Sequence, residues 1–146
     1  MEKIFVTGGN GFIGVHVTRE LVSRGFEVVS YDIVEPRRVL DSVAYVKGTI
    51  LDEFQMAQAM KGCASVFHLA AILGVKRADT QLLRCMTVNI EGTRSVFRAA
   101  EMAKISNVLF TSSSEVFGDI NNGALDEMSP YNPKSGYAIS KLAGEQ

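Results

Sequence analysis

The stretch Thr7-Gly8-Gly9-Asn10-Gly11-Phe12-Ile13-Gly14 decides how this sequence is read, because of what stands on either side of it. Before it runs Lys3-Ile4-Phe5-Val6, a short apolar, β-branched and aromatic run of strand character. After it, apolar residues recur at helical spacing over 12–24. In a turn between strand and helix each glycine has a physical use. Gly8 permits the tight turn, Gly11 lets backbone amides approach a ligand, and Gly14 lets helix and strand pack closely, at the spacing G-x-x-G-x-x-G. The positive end of the helix then suits a diphosphate, as in a bound dinucleotide; a merely structural glycine turn is the competing reading.

Asp32 tips the balance toward the ligand. It closes a second strand-like run, Glu27–Asp32, 24 residues after Gly8, where a carboxylate accepts hydrogen bonds from both hydroxyls of an adenosine ribose. A 2′-phosphate there would be repelled, which favours NAD over NADP. Arg37 and Arg38 follow, and they either neutralise such a phosphate or are solvated loop charges.

Working outward, strands are predicted at Lys3–Thr7, Glu27–Asp32, 44–47, Ser65–His68 and 107–111, with helices at 12–24, 54–60 and 80–104. This alternation predicts the α/β class: a Rossmann-type doubly wound parallel sheet with helices on both faces, one domain over 1–146. In the longest helix Leu83, Met86, Ile90, Thr93, Phe97 and Ala100 form one packing stripe, with Asn89 as its polar exception. Gly25 stops the first helix and Asp52 caps the second. Residues 118–135, rich in Asn, Gly, Pro and Asp, form an irregular excursion before a final helix.

Composition narrows the partners. At 146 residues, 47% hydrophobic and 21% charged, the chain has the makings of one globular domain. A formal charge of -1 provides no footprint for nucleic acid or an anionic membrane. The uncharged stretch 62–75 is shorter than the roughly 20 residues that span a bilayer, and reads as a buried strand and its following loop. With no charged leader and apolar run at its start, the chain is expected in the cytoplasm. Cys63 and Cys85 have neither CxxC spacing nor partners at metal-ligand intervals, so they read as free buried thiols, with no metal.

Tyr137 and Lys141 stand four apart, on one face of the final helix. An ammonium beside a phenol favours the phenolate, and the positive ring of an oxidised nicotinamide pushes the same way, making tyrosine a usable base. An isolated Tyr-x-x-x-Lys is an exposed aromatic and a solvated charge. Here a strand that reads as buried, Leu109-Phe110-Thr111, ends in Ser112-Ser113-Ser114 at the edge where a nicotinamide lies in such sheets. One hydroxyl can hold a substrate alcohol while Tyr137 removes its proton and hydride departs; otherwise the serines satisfy backbone groups at a strand end.

These motifs in this order, with His68-Leu69-Ala70-Ala71, Asn89 before Gly92-Thr93, and Ser112 to Gly118, resemble the extended short-chain dehydrogenase/reductase family, and within it the NAD-dependent nucleotide-sugar epimerases and dehydratases. The resemblance implies catalytic roles for Ser113, Tyr137 and Lys141, with Lys141 also holding the nicotinamide ribose. It implies cofactor contacts at Gly8, Gly11, Phe12, Ile13, Gly14, Asp32, Ala70 and Asn89. Thr49 stands where relatives carry an aspartate contacting adenine, so that contact comes from the Ile50 backbone or is weaker. Leu73 replaces a lysine of some epimerases and Phe117 the usual tyrosine. His68 and His16 read as packed rather than catalytic. Such enzymes remove hydride from C4 of a nucleotide sugar, form a 4-keto intermediate, and return hydride after inversion, elimination or decarboxylation. Ser114-Glu115 stands where 4,6-dehydratases have Asp-Glu, which disfavours dehydration. Glu115 fits a 4-epimerase or a UDP-glucuronate decarboxylase, or is a solvated turn carboxylate.

The resemblance also implies a further strand and a substrate-holding C-terminal lobe after the lysine helix. The 146 residues are therefore expected to bind NAD, to turn over little alone, and to leave the final helix short of packing partners, with disorder or self-association as the consequence. Two other readings stand: a non-catalytic NAD-binding sensor or partner domain, and a small reductase acting on a non-sugar ketone within an oligomer.

Overall fold

A computed structural model describes residues 2–73, 81–119 and 124–146. Thr80, the expected start of the long helix, and parts of the uncharged stretch and of the 118–135 excursion lie outside the described residues. In chain order the elements are β1 (Lys3–Thr7), α1 (Phe12–Ser23), β2 (Glu27–Asp32), β3 (Val43–Lys47), α2 (Glu53–Ala59), β4 (Ser65–His68) and α3 (Leu82–Met86). A π-helical turn (Thr87–Glu91), α4 (Gly92–Met102), β5 (Asn107–Phe110), a 3-10 turn (Ser114–Phe117) and α5 (Gly136–Glu145) follow. They fall into two compact units, Met1–Ala70 with Gly92–Thr111, and Ala71–Glu91 with Ser112–Gln146.

The first unit holds one five-stranded sheet in the order β3-β2-β1-β4-β5. Every pairing is parallel, with Lys3 opposite Glu27 and Ile4 opposite Ser65. This is the Rossmann arrangement, in which strand order reverses beside β1. Alternation along β1 sorts its side chains: Ile4 and Val6 join Leu21 of α1, Val28 and Val43 in one core, each such burial stabilising by about 1.5–3 kcal/mol. Phe5 takes the other face, its ring 5.4 Å from that of Tyr31. The Tyr31 hydroxyl donates to Gln55 Oε1 (2.6 Å) and the Thr49 carbonyl (3.1 Å). Burial first, and the Asp52 charge second, push this phenol up to about 12.

Helix limits follow their caps. Gly25 adopts φ +86, with its N–H on the Val22 carbonyl and that of Phe26 on Leu21, so the paired bonds of a left-handed stop close α1. Asp52 caps α2 by accepting the Gln55 N–H at 2.9 Å.

Two expectations need correction. The helix expected over 80–104 is not uniform. Its buried residues are Cys85, Asn89, Gly92, Thr93, Ser95, Val96, Ala99 and Ala100, whereas Leu83 is 85% exposed and Phe97 40%. The π turn spends an extra residue per turn and shifts the phase of the stripe. Small residues then win the inward positions because neighbours come close: a β-carbon on Gly92 would lie 2.5 Å from Ile50 Cδ1. The second correction concerns β5, which is an edge strand rather than a buried one, with Leu109 49% exposed.

Two glycines separate backbone strain from overpacking. Gly25 has no neighbour within 4 Å of a β-carbon, whereas one on Gly48 would lie 2.1 Å from the Tyr31 hydroxyl and 2.2 Å from Gln55 Oε1. Gly25→Ala should cost about 1 kcal/mol for its left-handed backbone, and Gly48→Ala about 2–3 kcal/mol through displaced neighbours. Urea titration reads both, and the reverse ranking would refute this account of the packing.

Candidate functional site

In the first unit the glycines following β1 build a cradle that side chains would fill. Gly8 (φ +69) has its N–H on the Tyr31 carbonyl, and a β-carbon there would lie 2.8 Å from both Ala70 Cα and Ala70 N. One on Gly14 would lie 2.0 Å from the Gly8 carbonyl oxygen. Gly11 closes the turn by donating to that same oxygen (3.0 Å) and stands at the N-cap of α1. No side chain caps this helix and no acidic residue occupies its first turn. Phe12 is 86% exposed and Ile13 more than half exposed, so the first-turn N–H groups are left for an anion.

Asp32 stands beside this turn. Its Oδ2 accepts from Asn10 N at 3.0 Å and its Oδ1 from Val34 N at 3.1 Å. Each oxygen keeps a further lone pair for a ligand hydroxyl. Asn10 anchors the arrangement, donating from Nδ2 to the Val34 carbonyl and accepting from Ser30 Oγ. Sequence reasoning passed over Asn10; an asparagine inside a tight turn is its signal. Arg37 and Arg38 are exposed. Thr49 Oγ1 accepts the Leu51 N–H (3.3 Å), and Ile50 turns its side chain inward against Gly92.

The histidines divide. His68 is buried between two hydroxyls, Nδ1 at 2.7 Å from Thr7 Oγ1 and Nε2 at 3.0 Å from Thr93 Oγ1, which makes it a core residue as expected. His16 is exposed rather than packed, meeting only the Phe12 ring edge-on at 5.8 Å. Its place on the outward side of α1 explains the difference. Cys63 and Cys85 are free and buried, as read.

The second unit carries the residues expected to handle protons. Ser135 caps α5 through the Ala138 N–H (3.0 Å), which brings Tyr137 and Lys141 inward, both buried. Ser113 caps the 3-10 turn, its Oγ accepting the Glu115 N–H at 3.2 Å. Glu115 Oε2 accepts from Ser135 Oγ at 3.2 Å, so the carboxylate is held by the cap of the helix that bears the phenol. The structure thus brings Ser113, Glu115, Tyr137 and Lys141 together. Helix α5 also has partners: Tyr137 packs with Cys85 and Ile72, and a β-carbon on Gly136 would lie 2.4 Å from Leu82 Cδ1. The expected shortage of packing around this helix is corrected by those contacts.

The electrostatics depart from expectation as well. The Tyr137 phenol is pushed up, not down, first by burial and then by the Glu115 charge; the Ser113 hydroxyl pulls it down, and Cys85 adds a smaller upward push. Lys141 Nζ lies over the phenol ring, 5.9 Å from its centroid. Burial pushes Lys141 down to about 8, against an opposing pull from Cys85. A buried ammonium is costly, and desolvation of both groups outweighs the simple attraction foreseen from their spacing.

Asn89 was read as a cofactor contact. In the structure its carboxamide accepts from Ile72 N (2.8 Å) and donates to the Ile72 carbonyl (3.1 Å) and to Ser140 Oγ (2.9 Å), with Cys85 Sγ at 3.4 Å. Sequence reasoning missed Ser135, whose place three residues before Ala138 is a cap signature, and Ser140, which carried no signal. Among the described residues no group of side chains could hold a metal, and no helix is long and apolar enough to cross a membrane.

Comparison with known proteins places this geometry. The chain is 32% identical over its whole length to a 3-beta-hydroxysteroid dehydrogenase of Mycolicibacterium neoaurum, of which it covers 42%. It is 36% identical over 80% of its length to the UDP-N-acetyl-alpha-D-glucosaminuronate decarboxylase of Bacillus cytotoxicus, covering 38% of that protein. The fold matches UDP-glucose 4-epimerase from Brucella ovis in complex with NAD at a TM-score of 0.93 and 28% identity, over 99% of this chain and 46% of the other. The chain thus spans less than half the length of these relatives. A family model described as the NAD dependent epimerase/dehydratase family matches residues 4–146, nearly the whole sequence, and to that family the chain belongs.

Proposed function

We propose that this chain is the cofactor-binding and acid–base portion of an NAD-dependent nucleotide-sugar 4-epimerase. The observation that carries the reading is the buried Tyr137–Lys141 pair, with Lys141 Nζ 5.9 Å from the phenol centroid, on the helix whose cap Ser135 holds Glu115, in a chain that also holds a capless helix start behind three glycines. Backbone amides from Gly11 to Gly14 receive a diphosphate, and Asp32 receives the hydroxyls of the adenosine ribose. The backbones of Ile50 and Ala70 border the adenosine, while Asn89 acts on the cofactor through the Ile72 backbone it holds. NAD, when bound, supplies the hydride acceptor for the carbon bearing the substrate hydroxyl. The Ser113 hydroxyl would fix that alcohol, Tyr137 Oη would take its proton and give it back to the same oxygen once hydride has returned to the opposite face of the 4-keto carbon, and Lys141 would hold the nicotinamide ribose. The sugar nucleotide and its binding lobe belong to the longer protein, in which this portion works in the cytoplasm.

Glu115 bears on the outcome. Its tie to Ser135 makes it part of the cluster rather than a free turn carboxylate, and Ser114 before it offers no acid to expel a C6 hydroxyl. This favours epimerisation, or decarboxylation of a sugar acid, over dehydration. A second reading, oxidation of a non-sugar secondary alcohol, is favoured by the full-length similarity to the hydroxysteroid dehydrogenase.

Three measurements test these roles. Calorimetry should detect NAD binding, with Gly14→Val abolishing it and Asp32→Ala weakening it about tenfold or more, in keeping with a lost charge-assisted bond. Absence of heat from the folded wild-type chain refutes the reading; given binding, incubation of the full-length protein with UDP-, dTDP-, GDP- and CDP-sugars and with hydroxysteroids identifies the substrate.

Because Glu115 raises Tyr137, Glu115→Gln should lower the phenol's titration, followed by NMR of carbon-labelled tyrosine, and should move the acid limb of turnover to lower pH. An unmoved phenol would remove Glu115 from the proton chemistry.

Lys141 titrates near 8 when folded and near 10.5 when unfolded, so its burial penalises the fold below pH 8 and is relieved as pH rises from about 8 to 10.5. Lys141→Met should therefore stabilise the chain at pH 7 by up to about 3 kcal/mol, a gain that fades toward pH 10.5. Urea midpoints across that range measure it, and a pH-independent difference would contradict the assignment.

A further inference from the structure

The reading above uses Ser113, Glu115, Tyr137 and Lys141, and leaves unexplained a carboxylate at the far end of the same helix. Glu145 is the last residue of α5. Ser112 Oγ donates to Glu145 Oε1, and the same carboxylate pushes the Tyr131 phenol up. Tyr131 in turn lies flat on Phe117, ring centroids 5.6 Å apart and planes within 9°. Asn132 N donates to the Val116 carbonyl at 2.9 Å, and Gly118 approaches so closely that a β-carbon would lie 2.1 Å from the Asn132 carbonyl oxygen.

These contacts close a ring around Ser113. The segment 112–117 is bonded to the last turn of α5 through Ser112 and Glu145. It is bonded to the first turn through Glu115 and Ser135, and braced along its side by Tyr131 stacked on Phe117. Both ends of the helix that bears Tyr137 therefore grip the segment that bears Ser113. Hydrogen bonds to an ionised carboxylate are among the strong ones. We propose that Glu145 is a positioning residue: by accepting from Ser112 it holds the Ser113 hydroxyl in register with the Tyr137 phenol. The proposal rests on the reading of Ser113 and Tyr137 as the proton-handling pair.

The test observes that pair directly and needs neither cofactor nor substrate, so its failure is distinct from a failure to bind NAD. Tyrosine is carbon-labelled, the Tyr137 signal is assigned by its loss in Tyr137→Phe, and its titration is followed by NMR in the wild type and in Glu145→Ala, Glu145→Gln and Ser112→Ala. The Ser113 hydroxyl lowers the phenol, so losing register should raise the Tyr137 titration by about one pH unit in Glu145→Ala and Ser112→Ala. The double variant should add little to either single change. Glu145→Gln retains an oxygen acceptor and should stay near wild type. A plain loss of negative charge predicts the opposite: a lowered titration, equal in Ala and Gln, with Ser112→Ala unaffected. That pattern, or a Tyr137 signal indifferent to every substitution, would overturn the proposal. If Glu145→Ala fails to fold by circular dichroism, Ser112→Ala removes the donor while leaving the carboxylate, and its titration decides the matter on the same terms.

Discussion

The approach of one backbone to another at Gly8 and Ala70 is the constraint on which the ligand-facing end of the sheet depends. Neighbouring parallel strands are about 4.8 Å apart, and where β1 ends the chain must turn sharply without touching the strand beside it. A β-carbon on Gly8 would meet Ala70 backbone atoms at 2.8 Å, and one on Gly14 would meet the Gly8 oxygen at 2.0 Å. Three absent side chains thus set where α1 starts and which amides it presents. The hydroxyl of Thr7 joins the same corner, accepting from Ala70 N while meeting His68, so the polar atoms at the strand end are satisfied within the protein. That leaves the helix start as the place where an anion gains most.

The residues expected to handle protons obey a different balance. Burial and a nearby carboxylate hold the Tyr137 phenol in its neutral form, while the Ser113 hydroxyl favours the ionised form. A group held between such opposing influences responds strongly to any charge that arrives. The named relatives include a hydroxysteroid dehydrogenase and a sugar-acid decarboxylase. This chain aligns with less than half the length of each.

Much of this was legible in the residues, for identifiable reasons. Strand limits at Lys3–Thr7, Glu27–Asp32 and Ser65–His68 matched because alternation and β-branching agree there, and Gly25 and Asp52 mark their helix ends through local geometry alone. The phase of the long helix was illegible, since a π turn carries no pattern in apolar spacing, and Leu83 and Phe97 were consequently turned outward instead of in. β5 was misread as buried because apolarity reveals propensity, not whether a strand has one neighbour or two. In the cluster, spacing correctly joined Tyr137 to Lys141. The sign of the phenol's shift depends on burial, which no pairwise spacing encodes. The tether from Ser112 to Glu145 spans 33 residues and offers no local signal at all.

Asn89 carries a last consequence. Its side-chain amide takes both the N–H and the carbonyl of Ile72, the two groups an adjoining strand would have engaged. A carboxamide is chemically a severed peptide unit, so one residue here impersonates a missing ladder rung. The loop at Ile72 thereby has both backbone groups of that residue satisfied without having to be sheet. Aspartate could imitate only half of that rung, lacking the donor, and a longer glutamine would push it out of register.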